Sequence, residues 1–392
     1  MSPYAAETLI EACKTFTKNP SDNYLIHTFD TRIDALDNIS EEKKALYKRQ
    51  NQSLVENAVI PAYENLTDLL AKLKNTGNNN AGLCGLPKGK EYYKYLVRTN
   101  TGSEKSIEEL QKQTKQQRRL DMERLQQILA TNPELLHADE NELDFGEPEE
   151  ILNHLQKAML SEFYPAANTS FEVNYVHQSL EDTLAPAFYL TAPIDDISRN
   201  VIYLNKSSQY RGIQLFTTLA HEGYPGHLYQ TTGSYQAGLA PVRALFHYPG
   251  YVEGWATYVE MLSYRYAGLE EAFADMLMHN QSALLSLYAE IDMGIHYDGW
   301  QLADTAAFLS AYGITDNEVI QSIFELIVEE PSHYLKYYIG YLEFLELKDY
   351  AKETWKENYS DRAFHQAVLR IGPAPFSILK KYLNVFYTVS DS

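Results

Sequence analysis

Three short runs rich in β-branched and aromatic residues, set between long helical patterns, constrain the fold of this chain most. The runs are SFEVNYVHQ, AFYLTAP and NVIYLN, and Pro, Asp and Asn residues bound them. Such runs predict the strands of a small sheet. Because helical patterns lie on both sides of them, we predict a mainly α fold with a small β-sheet, of the α+β class.

The helical patterns fall into two groups. Before the strands we predict helices at 40–75, kinked or divided at Pro61, at 106–130 and over EPEEILNHLQKAML. After them the patterns predict helices at 211–232, 250–267, 269–296, 301–311, 316–328, 333–357 and beyond Pro375. The residue pattern changes from helical to strand-like near residue 165. We therefore distinguish an N-terminal helical region, 1–165, from a C-terminal region, 166–392, within one continuous structural unit.

Composition excludes several classes of protein. The chain has 392 residues, of which 45% are apolar and 22% charged, in the globular range. Its net charge of −20 argues against nucleic acid or an anionic membrane as partner. The two cysteines do not form a C-x-x-C pair, and no apolar run is long enough to span a membrane.

The stretch LAHEGYPGHLYQ poses the functional question. The common zinc-hydrolase motif, H-E-x-x-H, places two histidines four residues apart on one helical face. Here His221 and His227 are six apart, and in a regular helix they would point about 240° from each other. Pro225 and Gly226 favour a bulge or break that returns His227 to the face of His221. A helix that ends at Pro225 beside two incidental histidines explains the same residues.

Two glutamates downstream favour the metal site. Glu253 and Glu260 in YVEGWATYVEML are seven residues apart, on one face of a helix. Two histidines and one glutamate would form a three-ligand zinc site with an open position for water. Glu222 would then be the base that acts on this water. Glu260 could orient a ligand, or it could be a surface carboxylate.

Several motifs together resemble a known family. NVIYLN, LAHEGYPGHLYQ, YVEGWATYVEML, IDMGIHYDGW and YYIGYLEFLELK, in this order, resemble the bacterial domain-of-unknown-function 885 family. LCGLPKGKEYYKYLVRTNTGSEKSIEEL resembles a subgroup with exported or lipoprotein members. The family is grouped with the glutamate-zincins, which are metallopeptidases. The resemblance implies Zn²⁺ at His221, His227 and Glu253, Glu222 as base, and a helical, zincin-like fold in which 166–392 forms the catalytic region beside a deep cleft.

The expected function is that of a zinc-dependent peptidase. Zinc would polarise a peptide carbonyl, while Glu222 would move a proton from water to the leaving amine. The strand at Val201–Asn205, with Tyr203 and Leu204, is placed to pair with an extended peptide substrate. Two alternatives stay open: a non-catalytic peptide-binding relative, and a zinc amidohydrolase that acts on non-peptide amides.

Two segments offer groups that could face the zinc across the cleft. In EIDMGIHYDGW, Asp292 could orient His296 four residues later; a surface salt bridge explains the pair as well. In EPSHYLKYYIG, Tyr337 could donate to an oxyanion or could be a core aromatic residue. With the resemblance we favour Tyr337 as oxyanion donor and His296 as a substrate-positioning group.

The chain departs from the family pattern at three places. Leu228 stands where many relatives have a second histidine, and Lys336-Tyr337-Tyr338-Ile339-Gly340 stands where they often have Ser-Tyr-Lys-Ile-Gly. Relatives are also longer at the N-terminus, so we expect a shortened member or a fragment. The first residues lack the pattern of a signal peptide, and the sequence leaves the localisation open.

Overall fold

The helices and strands are described from a computed structural model, which covers residues 3–77, 81–138, 143–165, 170–181, 184–193 and 195–388. The chain forms two compact units. One comprises Met1–Asn80, Tyr175–Pro186 and Asn205–Ser208; the other comprises Ala81–Asn174, Ala187–Leu204 and Gln209–Ser392. The boundary between these units does not coincide with the change of residue pattern near residue 165, because residues on both sides of residue 165 belong to the larger unit.

The smaller unit contains four helices: α1 (Pro3–Thr17), α2 (Tyr24–Asp34), α3 (Glu41–Leu54) and α4 (Ile60–Leu73). A π-helical turn at Val55–Val59 joins α3 to α4. Pro61 has no N–H with which to continue a regular helix. The regular helix predicted at 40–75, with a kink or division at Pro61, is interrupted by this π turn just before Pro61.

The larger unit carries the remaining helices. They are α5 (Gly89–Thr101), α6 (Ile107–Thr131), α7 (Pro148–Ala158), α8 (Gly212–Glu222), α9 (His227–Gln236), α10 (Pro249–Ser263), α11 (Glu271–Met293), α12 (Leu302–Ser310), α13 (Asn317–Glu329), α14 (His333–Trp355), α15 (Asp361–Ile371) and α16 (Phe376–Thr388). The hydroxyl of Ser106 and the carboxylate of Glu109 cap the start of α6 reciprocally. Among the described residues, no helix is both long and apolar enough to cross a membrane.

A three-stranded sheet completes the fold. The strands are β1 (Ser170–Tyr175), β2 (Ala187–Leu190) and β3 (Arg199–Leu204), in the order β1-β3-β2. β2 pairs antiparallel with β3, so that Phe188 lies opposite Tyr203 and Leu190 opposite Val201. The predicted α+β class, mostly helical with a small sheet, is confirmed.

Two glycines let α10 and α14 approach each other closely. A Cβ atom on Gly254 would lie 2.5 Å from the Gly340 backbone, and one on Gly340 would lie 2.5 Å from the Gly250 carbonyl oxygen. Neither clash can be relieved by a side-chain movement, because the opposing atoms are backbone. This close crossing brings Glu253, beside Gly254, next to the first turns of α14.

Candidate metal centre

A break between two helices positions His221 and His227. α8 ends at Glu222 and α9 begins at His227, with Gly223–Gly226 between them and a cis peptide bond before Pro225. The two imidazole rings lie 4.8 Å apart, centroid to centroid, at an interplanar angle of 87°. The break thus places side by side two histidines that a regular helix would point apart.

Two contacts maintain this break. A Cβ atom on Gly226 would lie 1.8 Å from the carbonyl oxygen of His221, so the backbone approach requires glycine. Trp255 on α10 is fully buried, and its indole N–H donates to the carbonyl of Pro225 at 2.9 Å. The helix that carries Glu253 therefore also holds the turn between the histidines.

Glu253 brings a carboxylate to both imidazoles. Its Oε2 lies 3.7 Å from Nε2 of His221 and 3.4 Å from Nε2 of His227. Ligands about 2.0–2.2 Å from a tetrahedral zinc ion are separated from one another by about 3.3–3.6 Å. The spacing and the nitrogen–oxygen donor set therefore fit zinc and leave a fourth position for a water or a substrate.

The charges of this cluster favour a cation. Burial alone would lower the pKa of His221, but the carboxylates of Glu253 and Glu260 outweigh it and raise this pKa well above its usual range. Burial would raise the pKa of Glu253, yet the two imidazoles hold it below its usual range. Oε2 of Glu253 and the Nε2 atoms of the two imidazoles meet at one point, where a proton or a metal ion would supply the positive charge.

Glu260 contacts the opposite nitrogen of His221. Its Oε2 lies 2.9 Å from Nδ1 of the ring, two turns along α10 from Glu253. When Nδ1–H donates to this carboxylate, Nε2 keeps its lone pair for the point that it shares with His227 and Glu253. The contact is the one that a ligand-orienting carboxylate would make.

Glu222 is anchored on the sheet side of the cluster. The backbone N–H of Tyr189 in β2 donates to its Oε2 at 2.7 Å. One ligand atom from each of His221, Glu222 and His227 lies within 4.8 Å of the others, so Glu222 is close enough to be a ligand itself. The Tyr189 N–H already engages Oε2 of Glu222, whereas Oε2 of Glu253 lies within 3.7 Å of the Nε2 atoms of both histidines.

The first turns of α14 face the same cluster. The Tyr337 ring centroid is 6.4 Å from that of His221, and burial, followed by the charges of Glu253 and Glu222, raises the pKa of its phenol. No hydrogen bond engages the phenol among the described residues. Lys336 places its ammonium 3.7 Å from Oε1 of Glu253 and 4.9 Å from the centroid of the Tyr337 ring. A cleft of about 300 Å³ opens here, lined by Lys336 and Glu253 among others.

His296 lies elsewhere, and its expected pairing with Asp292 is wrong. His296 is fully buried: the N–H of Leu83 donates to its Nδ1 at 3.1 Å, and its Nε2 bonds the carbonyl of Ile327 at 2.7 Å. A π-helical turn over Gly294–Asp298 follows α11 and alters the four-residue register that would align the pair. Both ring nitrogens are engaged by backbone, so we leave His296 out of the site.

Asp292 has other partners. The hydroxyl of Tyr93 donates to its carboxylate at 2.5 Å, and the N–H of Ser332 contacts both carboxylate oxygens, at 3.1 and 3.0 Å. Burial raises the pKa of Asp292 to about 7. These contacts join α5, α11 and the start of α14 inside the core.

The predicted substrate strand is also corrected. Tyr203 and Leu204 belong to β3, which lies between β1 and β2 and has a strand on each side. The outer edge of β2 faces the cluster instead, because the N–H of Tyr189 points away from β3 towards Glu222.

The sequence analysis did not identify three groups near the cluster. They are the Tyr189 N–H, the Trp255 indole and the Lys336 ammonium. The sequence could have pointed to Lys336, because this residue departs from the family pattern.

These features define an α+β protein of mostly helical structure, with a histidine–glutamate cluster beside the edge of a small sheet. The chain belongs to the family described as "Bacterial protein of unknown function (DUF885)", whose model matches residues 1–383. The expected family is therefore confirmed. No curated protein sequence matches the chain.

Two solved structures share the fold. One is "the putative lipoprotein from Colwellia psychrerythraea", with a TM-score of 0.86 and 20% identity over 99% of this chain and 71% of that chain. The other is "a putative lipoprotein of unknown function from Shewanella oneidensis", with a TM-score of 0.64 and 15% identity over 98% and 73% of the respective chains. At these identities the likeness concerns the fold alone.

Proposed function

We propose that this protein is a zinc-dependent peptidase. The observation that carries the proposal is the convergence of His221, His227 and Glu253, with Oε2 of Glu253 at 3.7 and 3.4 Å from the two Nε2 atoms. These separations suit three ligands of one zinc ion and leave a position open, which is the arrangement of catalytic zinc sites. Zinc bound there would polarise a substrate carbonyl and acidify a water molecule.

Glu222 is the group suited to proton transfer. Its Oε2 is held by the Tyr189 N–H, so its position beside the histidines is fixed by the sheet. In this role Glu222 accepts a proton from the attacking water and delivers it to the leaving amine.

Tyr337 is suited to stabilise the charge that develops on the carbonyl oxygen. Its phenol has no other hydrogen bond to the described residues, and its raised pKa keeps the phenol protonated and able to donate. Lys336 contacts Oε1 of Glu253, which leaves Oε2 directed at the imidazoles.

The outer edge of β2 supports a peptide as substrate. Glu222 takes the Tyr189 N–H on this edge, but strand residues alternate, so Ala187 presents its backbone groups on the same edge. An extended peptide that pairs with this edge would pass beside Glu222.

The test is the Glu222→Gln variant, because it removes the base but leaves all three proposed ligands. We expect about one zinc per chain by elemental analysis, as in the wild type, and a loss of turnover of at least ~100-fold on a mixed peptide library followed by mass spectrometry. Glu353→Gln, at an exposed carboxylate on α14, is the matched control and should change neither quantity.

Other outcomes separate the alternatives. If Glu222→Gln loses zinc, then Glu222 is a ligand and not the base. Wild-type protein that holds zinc, cleaves no peptide and hydrolyses small amides would be an amidohydrolase. Protein that binds library peptides without cleaving them would be a peptide-binding relative.

A further inference from the structure

A second cleft lies beside the metal centre. It encloses about 400 Å³ between α9, the turn at Pro241–Leu245 and the start of α10, and its walls include the aromatic rings of Phe246, Tyr248 and Tyr251. We call it the Arg243 cleft, after the guanidinium that lines it. A mostly apolar cleft with a few polar groups is the usual form of a ligand site.

The Arg243 cleft adjoins the space next to Glu253. His247 and Val252 line both the Arg243 cleft and the 300 Å³ cleft that Glu253 borders. Thr191, which also lines the Arg243 cleft, follows Tyr189 by two residues, and the Tyr189 N–H contacts Glu222. A substrate held at the metal centre could therefore extend into the Arg243 cleft.

The charge of the Arg243 cleft is opposite to that of the protein. The chain carries a net charge of −20, yet no Asp or Glu among the residues that the structure describes lines this cleft. Arg243 is half-buried and has no ion pair with any carboxylate among the described residues. Its Nη2 donates to the carbonyls of Ile371 at 3.0 Å and Pro373 at 2.7 Å. These two bonds fix the guanidinium without neutralising its charge.

Two buried hydroxyl groups lie in the same wall. They belong to Ser234 and to Tyr251, which is only 1% exposed. Burial raises the pKa of the Tyr251 phenol, while an interaction with the Ser234 hydroxyl lowers it, so the two groups lie near each other. Neither carries a charge that would neutralise Arg243, and a ligand with acceptor oxygens could accept hydrogen bonds from these hydroxyls and from the guanidinium.

We propose that the Arg243 cleft binds a carboxylate of the peptide substrate, with Arg243 as its counter-ion. The Ile371 and Pro373 carbonyls take both hydrogens of Nη2, so a carboxylate would accept a charge-assisted hydrogen bond from Nη1 or Nε of Arg243. The carboxylate has two possible sources in a peptide: the C-terminus or an acidic side chain. The inference rests on the proposed peptidase function, because it names a binding subsite of that substrate.

Binding of small probes tests the proposal separately from catalysis. We would titrate the full-length, zinc-loaded protein with N-acetylphenylalanine and with its C-terminal amide in a calorimeter, and repeat both titrations with the zinc removed. The acid should bind at least ~10-fold more tightly than the amide with and without zinc, because the difference arises at Arg243 and not at the metal. A glutamate residue blocked at both ends, compared with the equally blocked glutamine, tests the side-chain source.

Variants of Arg243 connect the effect to this residue. Arg243→Gln should bring the acid-to-amide affinity ratio close to one, whereas Arg243→Lys, which keeps the charge, should retain part of it. The ratio is measured within each variant, so a change in stability through the Ile371 and Pro373 carbonyls does not affect it; melting temperatures report that change. Arg199→Gln, at an exposed arginine paired with Glu172, is the control and should keep the wild-type ratio.

Three results would overturn the inference. They are equal affinity for acid and amide in the wild type, a difference that persists in Arg243→Gln, and no binding of any carboxylate probe at millimolar concentration. If the ratio behaves as expected while no peptide is cleaved, the peptidase proposal fails and the carboxylate site stands.

Discussion

In the histidine–glutamate cluster, each carboxylate has its own set of contacts. Glu253 uses Oε2 for the two imidazoles and Oε1 for the Lys336 ammonium. Glu260 takes the other nitrogen of His221, and Glu222 is held by a backbone N–H of the sheet. Glu222, Glu253 and Glu260 therefore contact different partners, so substitutions at each should give different results.

Tyr337→Phe tests the proposed oxyanion donor. The substitution removes only a hydroxyl that has no hydrogen bond to the described residues, so we expect unchanged zinc content and melting temperature. We expect kcat to fall by ~100-fold with little change in KM, because the bond to the developing oxyanion forms mainly in the transition state. Tyr350→Phe, at a tyrosine further along α14, is the control. A Tyr337→Phe enzyme with wild-type kcat would make Tyr337 a packing residue.

At the scale of helices, two close backbone approaches determine the geometry of the centre. The α8–α9 junction brings Gly226 against the His221 carbonyl, and the α10–α14 crossing brings Gly254 against Gly340. The Trp255 indole connects the two, because it lies on α10 and bonds the Pro225 carbonyl. Glycine contacts and one hydrogen bond thereby hold the three proposed ligands, which come from three helices.

Gly226→Ala should weaken zinc binding without removing any ligand. The new Cβ atom would lie 1.8 Å from the His221 carbonyl oxygen, so the backbone between the two histidines must shift. We expect zinc affinity, measured by competition with a chromogenic chelator, to fall by at least ~10-fold. Gly233→Ala, within α9, is the matched control, since its Cβ would meet only the end of the flexible Leu369 side chain, at 3.2 Å. Equal affinities in the two variants would contradict the role of the junction.

At the scale of the whole molecule, the core contains two titratable groups with opposite shifts. Burial raises the pKa of Asp292 to about 7 and lowers the pKa of His296 to about 4. The native state thus holds a proton on Asp292 that the unfolded chain releases above about pH 4, and it excludes from His296 a proton that the unfolded chain binds below about pH 6.5. Between about pH 4 and 6.5 the first effect lowers stability as pH rises, the second raises it, and the two largely cancel.

Asp292→Asn should expose the contribution of His296. Without the carboxyl, the free energy of unfolding relative to wild type should fall as pH is lowered from about 6.5 to 4, by roughly 1.4 kcal/mol per pH unit at most. His296→Gln should show the opposite trend and lose stability as pH rises over the same range. Urea unfolding of all three proteins at pH 4.5, 5.5 and 6.5 gives the free energy of unfolding of each variant relative to wild type. The contributions of other titrating groups cancel in these differences. If the free energy of unfolding depends on pH in the same way in all three proteins, then Asp292 and His296 do not titrate as described.

The sequence by itself determined the features that depend on neighbouring residues. Helix periodicity, the Ser106–Glu109 cap and Pro61 predict helices close to those in the structure, and three β-branched runs predict the sheet. The spacing of Glu253 and Glu260 places both on one face of α10, and Pro225-Gly226 predicts a break between the histidines. All of these follow from dihedral preferences and side-chain periods, which act within a few residues of the chain.

Only the tertiary structure decided which distant groups meet. Backbone groups engage both ring nitrogens of His296, and Asp292 bonds Tyr93 and Ser332 instead. The strand order places β3 in the centre, so the exposed edge beside Glu222 is that of β2. The groups that contact Arg243 and Lys336 belong to segments that are distant from them in the sequence. These outcomes depend on how helices and strands pack, since the free energy of packing is shared among many long-range contacts and no local pattern of residues records it.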